Sequence, residues 1–256
     1  MTRRSGMTGE ISPGIHVFPS PSALAEAAAD TIMKWGAEAV RDHGRFAIAL
    51  SGGRTPKPLY VMLAEAGPEA FSSDRLEVFW SDERAVPPDH PDSNYRLAWE
   101  TWLSRVPLDP RRVHRIRGED DPEAAAAHYE EELRTALGDP PRLDLILLGI
   151  ARDGHTASLF PHAPALASER WVVAARATVP PHHRVTFTPR LINTANQVMV
   201  LATGEEKARA VRAALVDPPS EAMPASLLRG DQVLWYLDRA AAAALTGKPV
   251  VRLPGT

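Results

Sequence analysis

Asp153-Gly154-His155 is the most reactive combination in the chain. A carboxylate and an imidazole on one glycine-bearing turn can meet side by side. The acid then fixes the ring's tautomer and raises its basicity, and the ring can take a proton from water. A second segment, Ser51-Gly52-Gly53-Arg54-Thr55, is built to approach an anion. Two glycines let the backbone come close to a ligand, and a helix start behind them would aim N–H groups at it. Ser51 and Thr55 add hydroxyls, and Arg54 adds a fork matched to phosphate oxygens. A plain tight turn with a helix cap is the bland alternative; strand, Gly-Gly, arginine and helix in that order tilt the reading toward phosphate. Ser81-Asp82-Glu83-Arg84 places two acids and an arginine at a strand's end, either as a pocket wall or as a surface ion cluster. Arg184 follows two histidines, and Lys207 follows Gly204-Glu205-Glu206 at a helix start, where its default partner is a neighbouring acid.

Other chemistries are excluded or disfavoured. The chain has no cysteine, so disulfides, thiolate catalysis and Cys-ligated zinc are ruled out. H-E-x-x-H is absent, and Asp89, His90 and Asp92 sit among prolines in what reads as an exposed loop, so a metal site is not expected. The absence of G-x-S-x-G argues against a serine esterase of the α/β-hydrolase type. The absence of a Walker pattern and of G-x-G-x-x-G argues against a nucleotide. A formal net charge of −3 disfavours a broad nucleic-acid surface. No apolar run is long enough to span a bilayer, and residues 1–10 read as a frayed polar tail ahead of one α/β domain over 11–250. A cytoplasmic protein acting on a small molecule is expected, with the oligomeric state open between monomer and weak dimer.

The elements that must position these residues alternate along the chain of 256 residues. Strands are expected at Ile15–Phe18, Phe46–Leu50, Leu76–Trp80, Val113–Ile116, Leu143–Leu148, Trp171–Ala175, Val185–Phe187, Val198–Leu201 and Val233–Leu237. Helices are expected from Ser20 to Gly44, over Pro56–Ala66, from Asp92 or Ser93 through Trp102, and from Asp121 to Gly138. A Thr203/Glu206 capping box should open another through Leu215, and an Ala-rich helix should follow the last strand. The alternation predicts an open, mainly parallel, doubly wound sheet, with the strand-rich stretch 171–201 as a small subsidiary layer. In such sheets ligands bind beyond the carboxyl ends of the strands.

The motifs together resemble the 6-phosphogluconolactonases. The matching pieces are Leu50–Pro56, Ser81–Pro87 running on to Asp92-Ser93-Asn94-Tyr95, Asp153–Pro161, Arg184-Val185-Thr186 and Gly204–Ala208, in the family's order. The resemblance implies a Rossmann-like α/β sheet related to the glucosamine-6-phosphate deaminases. It further implies a hydrolase that uses no metal and no organic cofactor and opens 6-phosphogluconolactone in the second step of the oxidative pentose phosphate pathway. It implies that Gly52, Gly53, Arg54, Arg84, Arg184 and Lys207 surround the phosphate and sugar hydroxyls, and that His155 is the base, with Asp153 beside it. Ser51, Thr55 and Asp82 complete the candidate binding set. Two departures stand out: Gly149-Ile150-Ala151, followed by Arg152, where the family usually reads Gly-Met-Gly before the Asp-Gly-His segment, and His162 where it often has glycine after Phe-Pro. The rival readings are an amino-sugar-phosphate isomerase or deaminase and a non-catalytic sugar-phosphate sensor. The deaminases resembled carry a glutamate five residues after the histidine, where this chain has Phe160, and a tyrosine where it has Arg84. The sensors carry a DNA-binding helix pair, for which the segment before residue 45 offers one long helix and little positive charge.

Overall fold

The computed structural model describes residues 14–67, 73–245 and 251–252; the expected N-terminal tail lies outside them. The chain folds around a seven-stranded, wholly parallel sheet. Its strands are β1 (Ile15–Phe18), β2 (Phe46–Leu50), β3 (Leu76–Trp80), β5 (Leu145–Gly149), β8 (Gln197–Ala202), β9 (Val233–Asp238) and β10 (Val251–Arg252). They lie in the order β10-β1-β9-β8-β5-β2-β3. A second, antiparallel sheet has the order β4-β7-β6, from β4 (Asp82–Arg84), β7 (His183–Phe187) and β6 (Val172–Arg176). Every residue of β2 and of β9 is buried. Successive side chains point to opposite faces, so both faces of the sheet are covered.

The helices start and stop where their end chemistry dictates. In α1 (Pro21–His43), Ser20 Oγ accepts from Ala23 N, proline opens the first turn, and Gly44 closes the helix at φ 82°. In α4 (Pro122–Leu137), the Asp121 carboxylate accepts from the N–H groups of Glu123 and Ala124. In α3 (Asn94–Thr101), the cap is Ser93 rather than Asp92. Between these come α2 (Pro56–Glu65), α5 (Pro189–Ile192) and α6 (Ala208–Val216).

Three expectations are corrected. Val113–Ile116 is no strand: only Val113 bridges to Val78 of β3, and the Tyr129 hydroxyl donates to the His114 carbonyl at 3.0 Å. The Thr203/Glu206 capping box does not form. Thr203 Oγ1 instead meets Thr55 Oγ1 at 3.3 Å, and a short 3₁₀ turn over Glu205–Lys207 precedes α6. The Ala-rich stretch after β9 makes turns over 239–244, because the Asp238 carboxylate takes the Ala241 N–H at 2.7 Å. Asp82–Arg84, read from the sequence only as following a strand's end, forms a strand of its own, β4, paired with β7. The His162 departure has a plain consequence: this residue sits at φ 57°, in the left-handed region that favours glycine.

At the edge strand β3, His114 is wedged between two carboxylates. Its Nε2 lies 2.8 Å from Glu77 and its Nδ1 2.9 Å from Glu132, and its ring stacks on Phe79. Burial pushes the imidazolium down, but the hydrogen bonds to Glu132 and Glu77 outweigh it and hold its pKa at about 9. The folded-state value exceeds the unfolded one, so the stabilisation is full below pH ~6.5 and is lost as pH rises through about 9. Urea unfolding should show the wild type losing about 1–3 kcal/mol across that window relative to His114→Gln. Parallel pH profiles for the two proteins would contradict the assignment.

Candidate active site

The chain winds outward from β2 to β3 and then returns to place β5 on the other side of β2. The loops leaving β2 and β5 therefore diverge, and a crevice opens at that reversal. It is a cavity of about 500 Å³ at the carboxyl ends of the strands. Ser51, Gly52, Gly53, Arg54 and Thr55 line it from the loop after β2, and Asp82 and Arg84 line it from β4. His155 enters from the loop after β5 and Lys207 from the loop after β8. Nine of the eleven residues singled out in the sequence are thus brought to one wall-lined space.

The loop after β2 is held by α2. The Tyr60 hydroxyl accepts from Ser51 N at 3.1 Å and donates to Ser51 O at 2.6 Å, which fixes where β2 ends. Gly53 has φ 94°, so glycine suits that position. At Gly52 the reason is space: a Cβ there would overlap the side-chain oxygen of Asn94. Asn94, the first residue of α3, is buried and donates from Nδ2 to the carbonyl of Asp82 at 2.8 Å and to its Oδ1 at 3.2 Å. Asp82 Oδ2 accepts from Ser158 Oγ at 2.6 Å, and Ser158 N donates to Thr186 Oγ1. This internal net fixes the Asp82 carboxylate at the cavity wall, where its negative charge suits a hydroxyl donor rather than a phosphate. The sequence assigned no role to Asn94 or Ser158; their positions inside the matched segments were the available signal.

The turn after β5 closes through Ala151 N to His155 O at 2.9 Å and Gly154 N to Ala151 O at 3.0 Å. Ala151, in place of the family's usual glycine, has no positive φ, so the turn tolerates it. Gly154 does need its identity: at φ 84° its Cβ would run into Met223. Asp153 Oδ1 lies 2.7 Å from His155 Nδ1 and accepts from His155 N at 3.2 Å. Asp153 itself does not line the cavity, and its side chain is 54% exposed. It orients the ring from the solvent side. With Nδ1 donating to that carboxylate, Nε2 is left as the proton acceptor. The His155 ring packs at a tilt against Phe160, centroids 4.8 Å apart.

The cations fall into two groups. Lys207 is half-buried and makes no ion pair with a described residue, against the surface pairing expected of it. Burial, Arg152 and Arg54 hold its pKa below the usual lysine value despite Glu206. Arg84 and Arg184 are register partners across β4 and β7. Arg184 was expected at the ligand, but it does not line the cavity: it is buried on the neighbouring strand, with one guanidinium nitrogen lacking a hydrogen-bond partner. Burial and the Arg84 charge push its pKa down. Like charges gathered at partly desolvated positions favour an anionic ligand. Among the described residues, no group of three or more His, Asp or Glu is arranged to hold a metal ion. No helix among them is long and apolar enough to cross a membrane.

Comparison with known proteins fits this geometry. The family model for glucosamine-6-phosphate isomerases/6-phosphogluconolactonase matches residues 19–235. A 6-phosphogluconolactonase of Nostoc sp. is 40% identical over 241 residues, covering 91% of this chain and 98% of that protein. The structure of 6-phosphogluconolactonase from Trypanosoma cruzi superposes with a TM-score of 0.82 at 30% identity, over 94% of this chain and all of that one. A monomeric glucosamine-6-phosphate deaminase superposes with a TM-score of 0.76 at 25% identity, over 91% of this chain and all of the other. The crevice at the sheet's reversal, its cationic walls and these likenesses agree: the chain belongs to the glucosamine-6-phosphate isomerase/6-phosphogluconolactonase family.

Proposed function

We propose that the protein is a 6-phosphogluconolactonase, hydrolysing the lactone to 6-phosphogluconate. The observation that carries this is His155, held by Asp153 from the solvent side and opening onto the same cavity as Arg54, Arg84 and Lys207. A δ-lactone is an activated ester and needs no covalent nucleophile. His155 Nε2 takes a proton from water as the water oxygen bonds to C1. The tetrahedral adduct then collapses, the bond from C1 to the ring oxygen breaks, and the imidazolium returns the proton to that oxygen. Asp153 stabilises the imidazolium between the two transfers. The cations hold the phosphate and so orient C1 at the imidazole, which replaces a bimolecular encounter by a positioned one. Asp82 accepts from a sugar hydroxyl.

The reading is tested by following lactone loss by NMR with purified protein, subtracting spontaneous hydrolysis. Catalysed loss is expected; a rate equal to the buffer's would sink it. Arg84→Ala removes a clamp that acts equally on ground and transition states. It should raise KM by about 10–100-fold with kcat within about threefold. A fall in kcat at unchanged KM would contradict the clamp role.

A deaminase or isomerase on the same fold is the second reading, favoured by the likeness to the deaminase structure. Enolisation needs a further acid–base group beside the histidine. The position that carries a glutamate in the resembled deaminases is here Phe160, packed on His155. Release of ammonia from glucosamine 6-phosphate would establish this reading instead.

A further inference from the structure

We infer that Glu83 is a positioning residue, which sets substrate affinity by holding Arg84 and Asn94 in the cavity wall. This rests on the lactonase reading for the identity of the substrate, not for the geometry. Glu83 is 3% exposed and takes no part in the chemistry proposed above. All four acceptor sites of its carboxylate are filled. Oε1 accepts from Arg84 N at 2.8 Å and Asn94 N at 2.7 Å. Oε2 accepts from Ser93 Oγ at 3.1 Å and Tyr95 N at 2.8 Å.

The distribution of these bonds is informative. Ser93 Oγ already caps α3 by accepting from Arg96 N. Glu83 takes the two N–H groups that precede it in the helix, so the start of α3 is satisfied jointly. The same carboxylate also takes the backbone N–H of Arg84, on β4. It therefore ties the strand that carries one substrate cation to the helix end that carries Asn94. Asn94 in turn sits under Gly52 and fixes Asp82. On the other side, Gly118 packs so closely on the carbonyls of Arg84 and Val86 that it has no room for a Cβ. A strand of three residues is thus clamped from two sides. Burial pushes the Glu83 carboxyl up to about 7 while the N–H groups of Asn94, Tyr95 and Arg84 pull it back. A group so costly to desolvate, with no ion pair to a described residue, is explained by what its four acceptors hold.

Glu83→Gln is isosteric but turns an N–H₂ toward two of the donors. Assayed at a pH well above 7, it should keep the circular-dichroism spectrum, raise KM about tenfold and leave kcat within about twofold. Placed on an Arg84→Ala/Asn94→Ala background, the same substitution should change KM by less than about twofold, since its effect passes through those two side chains. An unchanged KM, a loss confined to kcat, or the full effect on the double background would overturn the inference. If Glu83→Gln does not fold, Glu83→Asp, which keeps the charge but is one methylene short, is read the same way. Loss of fold in both would also overturn it, since the carboxylate would then hold the domain rather than the site. Calorimetric titration with 6-phosphogluconate separates the two levels. Absence of turnover by the wild type would sink the function, whereas an unchanged dissociation constant in Glu83→Gln sinks the positioning role alone.

Discussion

His155→Ala should lower kcat for the lactone by ~10²–10⁴, the range that a positioned general base contributes, while KM stays within a few-fold. The reasoning is local. The ring is fixed through Nδ1 by Asp153 at 2.7 Å and lies against Phe160, so it needs no rearrangement to present Nε2 to water. The ring is partly solvent-exposed, its side chain at 31%. Its loss leaves no buried cavity, and the melting temperature should barely move. Quench-flow or NMR kinetics over a range of lactone concentrations separate the two constants. Residual activity near that of the wild type would mean that another group takes the proton.

Gly52→Ala is the second large effect, and it acts through sterics. The new methyl overlaps Asn94 Oδ1, and Asn94 is buried, so it can yield only by leaving the Asp82 carbonyl and carboxylate. Each buried polar group left unsatisfied costs about 1–3 kcal/mol. Stability should fall by about that amount, and kcat/KM by about tenfold or more, as Asp82 and the loop lose their shape. Gly53→Ala is the control. Its φ of 94° makes alanine strained, but nothing lies within 4 Å of the added Cβ, so it should cost only about 1–2 kcal/mol of backbone strain and leave Asn94 in place. If urea midpoints and kcat/KM are alike for the two variants, the Asn94 contact is not what excludes a side chain at position 52.

What the sequence disclosed follows from burial. Phe46–Leu50 and Val233–Leu237 read as strands because a parallel strand covered on both faces must be apolar at every position, and they are. Ser20, Ser93 and Asp121 marked helix starts because a short polar side chain before an apolar stripe can take a free N–H. Val113–Ile116 misled for a reason the pattern cannot contain: His114 spends its side chain on Glu77 and Glu132, and its carbonyl on Tyr129, so no ladder continues beyond Val113. The Ala-rich stretch has high helix propensity, but the Asp238 carboxylate also takes the Gly204 N–H, drawing the chain into turns.

At the site, the residues proposed to do chemistry were legible and those that hold them in place were not. Asp153 and His155 are two residues apart, so their pairing is a local matter. Arg84 and Arg184 are a hundred residues apart and meet only because a three-residue strand pairs antiparallel with β7. A strand that short leaves no periodicity to read. The structure places Arg184 buried on the next strand, beside Arg84, rather than in the cavity lining.

The most direct test is a crystal structure of the protein with 6-phosphogluconate bound. The account requires the C1 carboxylate within hydrogen-bonding distance of His155 Nε2, and the phosphate against Arg54, Arg84 or Lys207. An imidazole turned away from C1, or a phosphate seated outside this cavity, would contradict it.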